Sequence, residues 1–453
     1  MNIRTTDQPV TPLQSASEAF IAGAKAASLR IGIIGMGYVG LPLAKAFVRR
    51  NFDVTGFDID ENRVEQLNAG RSYIQHIPDE RVRAAVETGR FAATSDLARL
   101  KDMDAVLICV PTPLGEHREP DLSYVIATAQ SIAGHLQPGQ LIVLESTTYP
   151  GTSEEVLKPI LERGGLRAGI DFAIAYSPER EDPGNKAYET ATIPKVVGAA
   201  SALERIMALA LYGAIVPSLV PVSDLRTAEA VKLTENIFRA VNIALVNELK
   251  VVFEAMDIDV WEVIDAAKTK PFGFMPFYPG PGLGGHCIPI DPFYLTWKAR
   301  AYGLNTRFVE LAGEINSKMP GHIIDRISDA MNDKLGLAMK GAKALIVGLA
   351  YKKNVDDLRE SPALQLITKL RQHGMAVSYY DPCIPAAPDM REYPQVRGMK
   401  SVPWTAESLS AFDVAVIVTD HDGVDYAPLL AAVDLVIDTR RAIRQTSDKV
   451  VRA

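Results

Sequence analysis

A short apolar strand runs straight into three closely spaced glycines and then into a helical pattern, an order that few folds accept. Leu29–Ile34 leads into Gly35-Met36-Gly37-Tyr38-Val39-Gly40, and Leu41 to Arg50 carries on with helical spacing. Strand, G-x-G-x-x-G turn and helix together make the first half of a nucleotide-binding β-α-β unit. Gly35 permits the tight turn, Gly37 lets backbone approach a pyrophosphate, and Gly40 allows close packing of helix on sheet. The first helical turn adds free N–H groups and a dipole that favours phosphate. Asp58 stands at the end of the next strand, Val54–Phe57. A carboxylate there accepts hydrogen bonds from ribose hydroxyls and repels a 2′-phosphate, so NAD is expected over NADP. Gly35, Met36, Gly37, Tyr38, Val39, Gly40 and Asp58 are the candidate cofactor residues. A glycine turn that binds nothing is the competing reading, and strand, helix and acid in the required order count against it.

Further apolar runs, Ala105–Val110, Leu141–Leu144 and Phe172–Ala175, alternate with helical stretches. Continuous short strands separated by helices predict a parallel sheet covered on both faces. Val110-Pro111-Thr112-Pro113 ends one of these strands, where ligands collect, so Thr112 is a candidate cofactor contact; a plain Pro-rich loop is the alternative. A long helical stretch without Pro or Gly follows from about Asp224 to Ala267, then a Pro/Gly-rich loop, then helix to about Met331. A second alternating series begins at Lys343–Val347 and continues through Ala376–Tyr380, Val414–Val418 and Leu435–Ile437. The expected fold is α/β: two doubly wound Rossmann-like domains joined by a long central helix. The boundaries read 1–28 as an N-terminal tail or short helix and 29–223 as the NAD-binding domain. Residues 224–333 read as the central helical segment and 334–453 as a C-terminal α/β domain.

Composition removes several functions. The 453 residues allow two or three domains at about 150 residues each. A net charge of -7 argues against a nucleic-acid surface, which needs clustered Lys and Arg. No apolar run approaches the roughly 18 residues needed to span a bilayer, so no membrane partner is expected. The N-terminus lacks a charged-then-apolar signal pattern. Three cysteines, Cys109, Cys287 and Cys383, make no disulfide framework, so a reduced cytoplasmic protein is expected. No metal site is expected.

The stretch Phe277-Tyr278-Pro279-Gly280-Pro281-Gly282-Leu283-Gly284-Gly285-His286-Cys287 is dense in residues that shape a loop and bring backbone close to a ligand. Asp291-Pro292 resembles an N-cap followed by Pro at the first helical position, which would set Cys287 just ahead of a helix N-terminus. A thiolate is stabilised there. Cys109 and Cys383 read instead as small hydrophobes packed in or beside strands, and His286 as structural or substrate-lining.

On the central helix, Lys232, Asn236 and Arg239 recur at i, i+4 and i+7 among Val, Ile, Leu and Ala, with Glu235, Asn242 and Asn247 beside them. A solvated stripe is the plainer reading. The functional one has Lys232 and Asn236 facing the cysteine loop, where a cation stabilises an alkoxide or oxyanion.

Together with Ile31–Ala44, Ser177-Pro178-Glu179-Arg180, Ala230–Leu249, Gly282–Pro292 and Gly348–Ser361, these features resemble the UDP-glucose/GDP-mannose dehydrogenase family over about residues 29 to 445. The resemblance implies an N-terminal NAD domain, a long helix forming a dimer core, and a C-terminal domain that binds the nucleotide of a UDP-sugar. It makes Cys287 the nucleophile and Lys232 with Asn236 the pair that stabilises charge at the reacting carbon. Asp291 becomes the acid that positions water and the lysine. Thr147 and Glu179 serve the acid–base and hydrolytic steps. Thr112, Thr147 and Arg359 join the cofactor contacts. Glu179, Arg180, Lys232, Asn236, Tyr278, Gly282, Gly284 and Lys352 join the substrate contacts. The form Gly284-Gly285-His286-Cys287-Ile288-Pro289-Ile290-Asp291-Pro292 is similar to that of family members acting on UDP-N-acetylhexosamines in bacterial surface-polysaccharide pathways, UDP-N-acetylglucosamine 6-dehydrogenases above all. Lys268–Phe277 holds no Arg to reach a neighbouring subunit's substrate, as some members do.

The implied chemistry is a four-electron oxidation of the sugar C6 alcohol to an acid, through a Cys287 thiohemiacetal and thioester, with two NADH per sugar. UDP-glucose, UDP-GalNAc and UDP-ManNAc are alternative substrates. A two-electron dehydrogenase with a structural Cys287 is a second reading, and a non-catalytic nucleotide-binding or redox-sensing module a third.

Overall fold

The computed structural model describes residues 10–453 apart from 75–76, 116–117, 181–191, 286, 391 and the side chain of Cys287. It divides into two compact units, Met1–Glu235 with Trp297–Gly303, and Asn236–Thr296 with Leu304–Ala453.

The first unit opens with helix α1, Pro12–Ala26, inside the stretch read as a tail or short helix. Thr11 caps it reciprocally: its hydroxyl accepts from the Gln14 N–H, and the Gln14 side chain accepts from the Thr11 N–H. Leu13, Phe20 and Ala24 bury one face in the main core of the unit. The sheet follows as β1 Arg30–Ile34, β2 Asp53–Phe57, β3 Phe91–Thr94, β4 Ala105–Ile108, β5 Leu141–Leu144, β6 Ala173–Tyr176, β7 Lys195–Ala199 and β8 Leu219–Pro221. Its order is β3-β2-β1-β4-β5-β6-β7-β8. The order reverses between β1 and β4, the switch point where such sheets bind ligands. Helix α2, Gly40–Val48, follows β1, and α3, Ala202–Gly213, follows β7.

The expected all-parallel sheet is parallel only as far as β6; β7 runs antiparallel against β6, and β8 is parallel to β7. Strands β3, β7 and β8 were not anticipated. Phe91-Ala92-Ala93-Thr94 has one large apolar residue, and Leu219-Val220-Pro221 is short and ends in Pro, so neither carries a strong strand pattern.

Helix α4, Leu225–Glu254, passes from the first unit into the second. The single helix expected to about Ala267 is in fact two. Asp257 takes φ 57 and breaks the run, and the Asp259 carboxylate then caps α5, Val260–Ala267. Asp in the left-handed region ends a helix without the Gly or Pro that usually marks the place.

Helix α6 spans Cys287–Arg300, so Cys287 is its first residue and Pro292 lies inside it. The cap expected at Asp291-Pro292 is not one. Pro289 falls in the first turn, where no N–H partner exists to lose, so the helix starts a turn early. Helix α7, Arg307–Leu335, ends on Gly336 at φ 62.

The second sheet comprises β9 Lys343–Val347, β10 Ala376–Tyr380, β11 Val414–Ile417, β12 Leu435–Asp438 and β13 Val450–Arg452, all parallel, with α8, Pro362–Gln372, after β9. Its order, β10-β9-β11-β12-β13, is the other common doubly wound one. The two sheets share their first turn in detail. Gly35 N–H donates to Phe57 O at 2.8 Å and Gly348 N–H to Tyr380 O at 2.8 Å. The next residue donates to the acid that ends the neighbouring strand, Met36 to Asp58 at 3.1 Å and Leu349 to Asp381 at 2.7 Å. No helix among the described residues is long and apolar enough to cross a membrane.

Candidate active site

The glycine loop of the first unit is closed on its protein side and open on the other. A Cβ on Gly40 would meet Gly35 O at 2.0 Å, while one on Gly37 would meet nothing within 4 Å. Asp58 anchors the loop: one carboxylate oxygen accepts from Met36 N–H and the other from Asp60 N–H. Arg63 Nη1 lies 3.7 Å from the first of these oxygens, and a carboxylate has acceptor capacity beyond these two bonds for ribose hydroxyls. Tyr73 hydroxyl donates to Met36 O, fixing the loop from above. Tyr38 and Val39 form the turn into α2, so their N–H groups open the helix. This cradle fits a dinucleotide diphosphate. Thr112 hydroxyl donates to Thr147 O at 2.8 Å, bringing the ends of β4 and β5 together beside the switch point.

Ser177-Pro178-Glu179-Arg180, just past β6, is gripped from several sides. Ser177 hydroxyl donates to Val196 O at 2.7 Å. Lys232 ammonium donates to Glu179 O at 2.6 Å, and the Glu179 carboxylate accepts from Arg180 N–H at 2.6 Å. Arg180 itself bonds Pro194 O at 2.6 Å and Glu235 at 2.5 Å.

The stripe on α4 is not a solvated one. Lys232 is 8 % exposed and Asn236 6 %, although Arg239 faces water. One turn before Lys232, Glu229 is fully buried and accepts from Gly151 N–H at 2.5 Å and Ser153 N–H at 2.8 Å. Burial pushes its carboxyl up to about 7 against those two donors. It ties α4 to the segment that follows Thr147.

In the second unit, Asn236 amide donates to the Asp291 carboxylate at 2.5 Å, and Asp291 is buried on α6 one turn beyond Cys287. The side chain of Cys287 and all of His286 lie outside the described residues. The root of the loop is fixed by Asn247, which accepts from Gly280 N–H at 3.0 Å and donates to Asn316 at 2.9 Å. Its far end meets the Arg-Glu-Ser segment: Gly285 N–H donates to Arg359 O at 2.9 Å. Gly285 has φ 84, and a Cβ there would lie 2.8 Å from the Tyr351 ring, so only glycine fits. A Cβ on Gly284 would lie 2.6 Å from that of Tyr351. The cysteine loop and the segments around Lys352 and Arg359, far apart in sequence, are thus neighbours.

Lys352 is half-buried beside Tyr351. Arg359 guanidinium holds Asp357, its Nη2 2.6 Å from the carboxylate. Tyr278 hydroxyl donates to Asp265 at 2.8 Å and accepts from Lys268 at 3.1 Å. Gly282 sits at φ 146.

Cys109 is buried as expected of a packed thiol; Cys383 is half-buried, 3.8 Å from His421 Nδ1. Asp381, Cys383 and His421 form a group that could hold a metal. Their atoms are already engaged within the protein. His421 Nε2 faces Asp381 at 3.0 Å, and Nδ1 accepts from Asn354 N–H at 3.0 Å. The trio reads as the lock on the second sheet's first turn.

Sequence reasoning missed the cluster beneath Glu179. Lys195, 5 % exposed, donates to Glu145 at 2.5 Å, and Glu145 also accepts from Tyr212 hydroxyl. Burial opposes the Lys195 charge, but Glu145 and Glu179 beside it hold the ammonium above its ordinary value. The sole available signal was a charged residue opening an apolar strand.

The NAD-binding, central and UDP-binding domain models of the UDP-glucose/GDP-mannose dehydrogenase family match residues 29–216, 226–318 and 345–445. A UDP-N-acetyl-D-glucosamine 6-dehydrogenase of Pseudomonas aeruginosa is 36% identical, over 81% of this chain and 85% of that protein. An NDP-N-acetyl-D-galactosaminuronic acid dehydrogenase of Ralstonia nicotianae is also 36% identical, over 86% of this chain and 90% of its own length. Among solved structures, that of a UDP-D-ManNAc dehydrogenase from Pyrococcus horikoshii superposes with a TM-score of 0.84 at 33% identity, covering 93% of this chain and 98% of that one.

Proposed function

Since the chain belongs to the UDP-glucose/GDP-mannose dehydrogenase family and is an NAD-dependent nucleotide-sugar dehydrogenase, we propose that it oxidises C6 of a UDP-N-acetylhexosamine from alcohol to acid, with UDP-GlcNAc the first candidate. One observation carries the reading. Two buried polar residues stand one turn apart on α4, each bonded to a segment with chemistry: Lys232 to Glu179 and Asn236 to Asp291.

Bound NAD supplies the oxidising power, two electrons in each of two rounds. The protein's residues do the rest. Lys232 and Asn236 stabilise the oxygen of C6 as it gains negative charge. The first round takes a hydride from C6 and a proton from its hydroxyl, leaving an aldehyde; Cys287 adds to that carbon, and its place in the first turn of α6 favours the thiolate. Oxidation of that adduct leaves a thioester on Cys287. Glu179 takes a proton from the attacking water, the C–S bond breaks, and Cys287 leaves as thiolate. Gly35 to Gly40, Asp58, Thr112, Thr147 and Arg359 are assigned to the cofactor. Tyr278, Gly282, Gly284, Arg180 and Lys352 are assigned to the UDP-sugar.

The chain also carries a surface suited to a second copy. Phe238, Leu245 and Val252 recur every seventh residue on α4 and are 46%, 50% and 42% exposed, with Met256 beyond them at 61%. Seven residues are close to two helical turns, so these side chains form one stripe. A run of this kind on a long helix favours a two-fold homodimer.

The test of substrate is NADH formation over UDP-GlcNAc, UDP-GalNAc, UDP-ManNAc and UDP-glucose. The highest kcat/KM is expected with an N-acetylated sugar; a preference for UDP-glucose would reject the hexosamine assignment.

A further inference from the structure

Lys195 is the first residue of β7, and the reversed direction of that strand decides where it lies. In a parallel strand the first residue sits at the edge away from the switch point. β7 is antiparallel to β6, with Tyr176 opposite Gly198 and Ala175 opposite Ala199. Carried three residues past Tyr176, the same register puts Lys195 opposite Glu179. The ammonium accordingly lies 3.9 Å from the Glu179 carboxylate and 3.4 Å from Pro178 O.

Lys195 is itself held from behind. Glu145, buried at the end of β5 two residues before Thr147, accepts from it at 2.5 Å. Tyr212 on α3 donates to the other Glu145 oxygen, and its ring faces the ammonium at 5.0 Å. A buried ammonium shared by two carboxylates, with a phenol fixing one of them, has little freedom to move. The two lysines then divide the work on one residue: Lys232 fixes the Glu179 main chain, Lys195 its side chain.

We propose that Lys195, braced by Glu145 and Tyr212, is a positioning residue that orients the Glu179 carboxylate toward the water that hydrolyses the thioester. This rests on the dehydrogenase reading above. In that step water loses a proton to Glu179 as its oxygen bonds the thioester carbon; the C–S bond breaks and its electron pair returns to Cys287. With Glu179 assigned as the base of this step, losing Lys195 is expected to slow hydrolysis more than the two oxidations before it.

The variants are Lys195→Met, and the double variant E145Q/K195M, which removes both members of the buried Glu145–Lys195 pair. Glu145→Gln alone keeps the ammonium and should give a milder form of the same defect. Each is mixed with NAD and UDP-sugar in a stopped-flow instrument, and quenched enzyme is weighed by intact-protein mass spectrometry. The double variant is expected to give a burst of NADH, a steady rate lower by roughly 100-fold, and an acyl adduct accumulating on Cys287. NAD affinity should be unchanged. A steady rate equal to wild type, or a loss shared equally by burst and steady rate in a folded variant, overturns the assignment. A wild-type enzyme that forms no NADH with any UDP-sugar overturns the dehydrogenase reading first and this one with it.

Discussion

Lys232 donates to the main-chain carbonyl of Glu179, at 2.6 Å, and not to its carboxylate. The ammonium therefore fixes the backbone of a segment while its positive field remains available to an oxyanion. Lys232→Met should remove both effects. Leaving that carbonyl without its donor should cost about 1–3 kcal/mol of stability, and kcat should fall roughly 100- to 1,000-fold. Thermal unfolding and steady-state rates measure the two separately; a folded variant with wild-type kcat would remove Lys232 from the chemistry.

Asp58 braces the glycine loop, and we assign cofactor selection to it as well. Asp58→Ser removes the charge that repels a 2′-phosphate and one acceptor of the Met36 N–H. The ratio of kcat/KM for NAD over NADP should drop at least tenfold, by about 1.4 kcal/mol or more, mainly through a loss with NAD. An unchanged ratio would place cofactor selection elsewhere.

Lys250 makes a pH prediction. It is 3 % exposed on α4, its ammonium has no hydrogen-bond partner among the described residues, and burial lowers it to about 8, with Arg326 and Arg440 adding to the fall and Glu254 opposing it. The folded state thus binds this proton less tightly than the unfolded chain. The group costs stability in full below about pH 8, and the cost fades as pH rises toward the ordinary lysine value near 10.5. Lys250→Met should raise stability at pH 7 by up to about 3 kcal/mol and flatten the rise between about pH 8 and 10.5. Denaturant melts across that range check it; a destabilised Met variant at pH 7 would mean that the ammonium is paired.

The α4 stripe is the proposed dimer face. Leu245→Glu puts a charge in the middle of Phe238, Leu245 and Val252, where across a two-fold axis it would face a like charge. Light scattering should show a dimer for wild type and a monomer for the variant. A dimer in both would move the interface off this face.

Most of the fold was legible because its strands are short apolar runs bounded by turn residues; β5, β9 and β10 fall where the pattern put them. What escaped was set by tertiary context. The break at Asp257 carries no Gly or Pro, and Asp291, expected as the cap of α6, lies inside that helix and accepts from Asn236. At the site, residue identity pointed to the glycine loop and the cysteine loop, and resemblance to the family pointed to Glu179. Residue identity did not expose Lys195 and Glu145, because a buried ion pair is written by the register of β7 against β6, which no local pattern records. Nor did spacing decide between a wet and a buried stripe at Lys232; packing did.

The central claim is four-electron oxidation through Cys287, and the count of NADH per sugar tests it most directly. With limiting UDP-N-acetylhexosamine and excess NAD, the product should be the uronic acid with two NADH per sugar, and Cys287→Ser should abolish acid formation. One NADH per sugar with an aldehyde or ketone as the product, or undiminished acid from Cys287→Ser, would contradict the account.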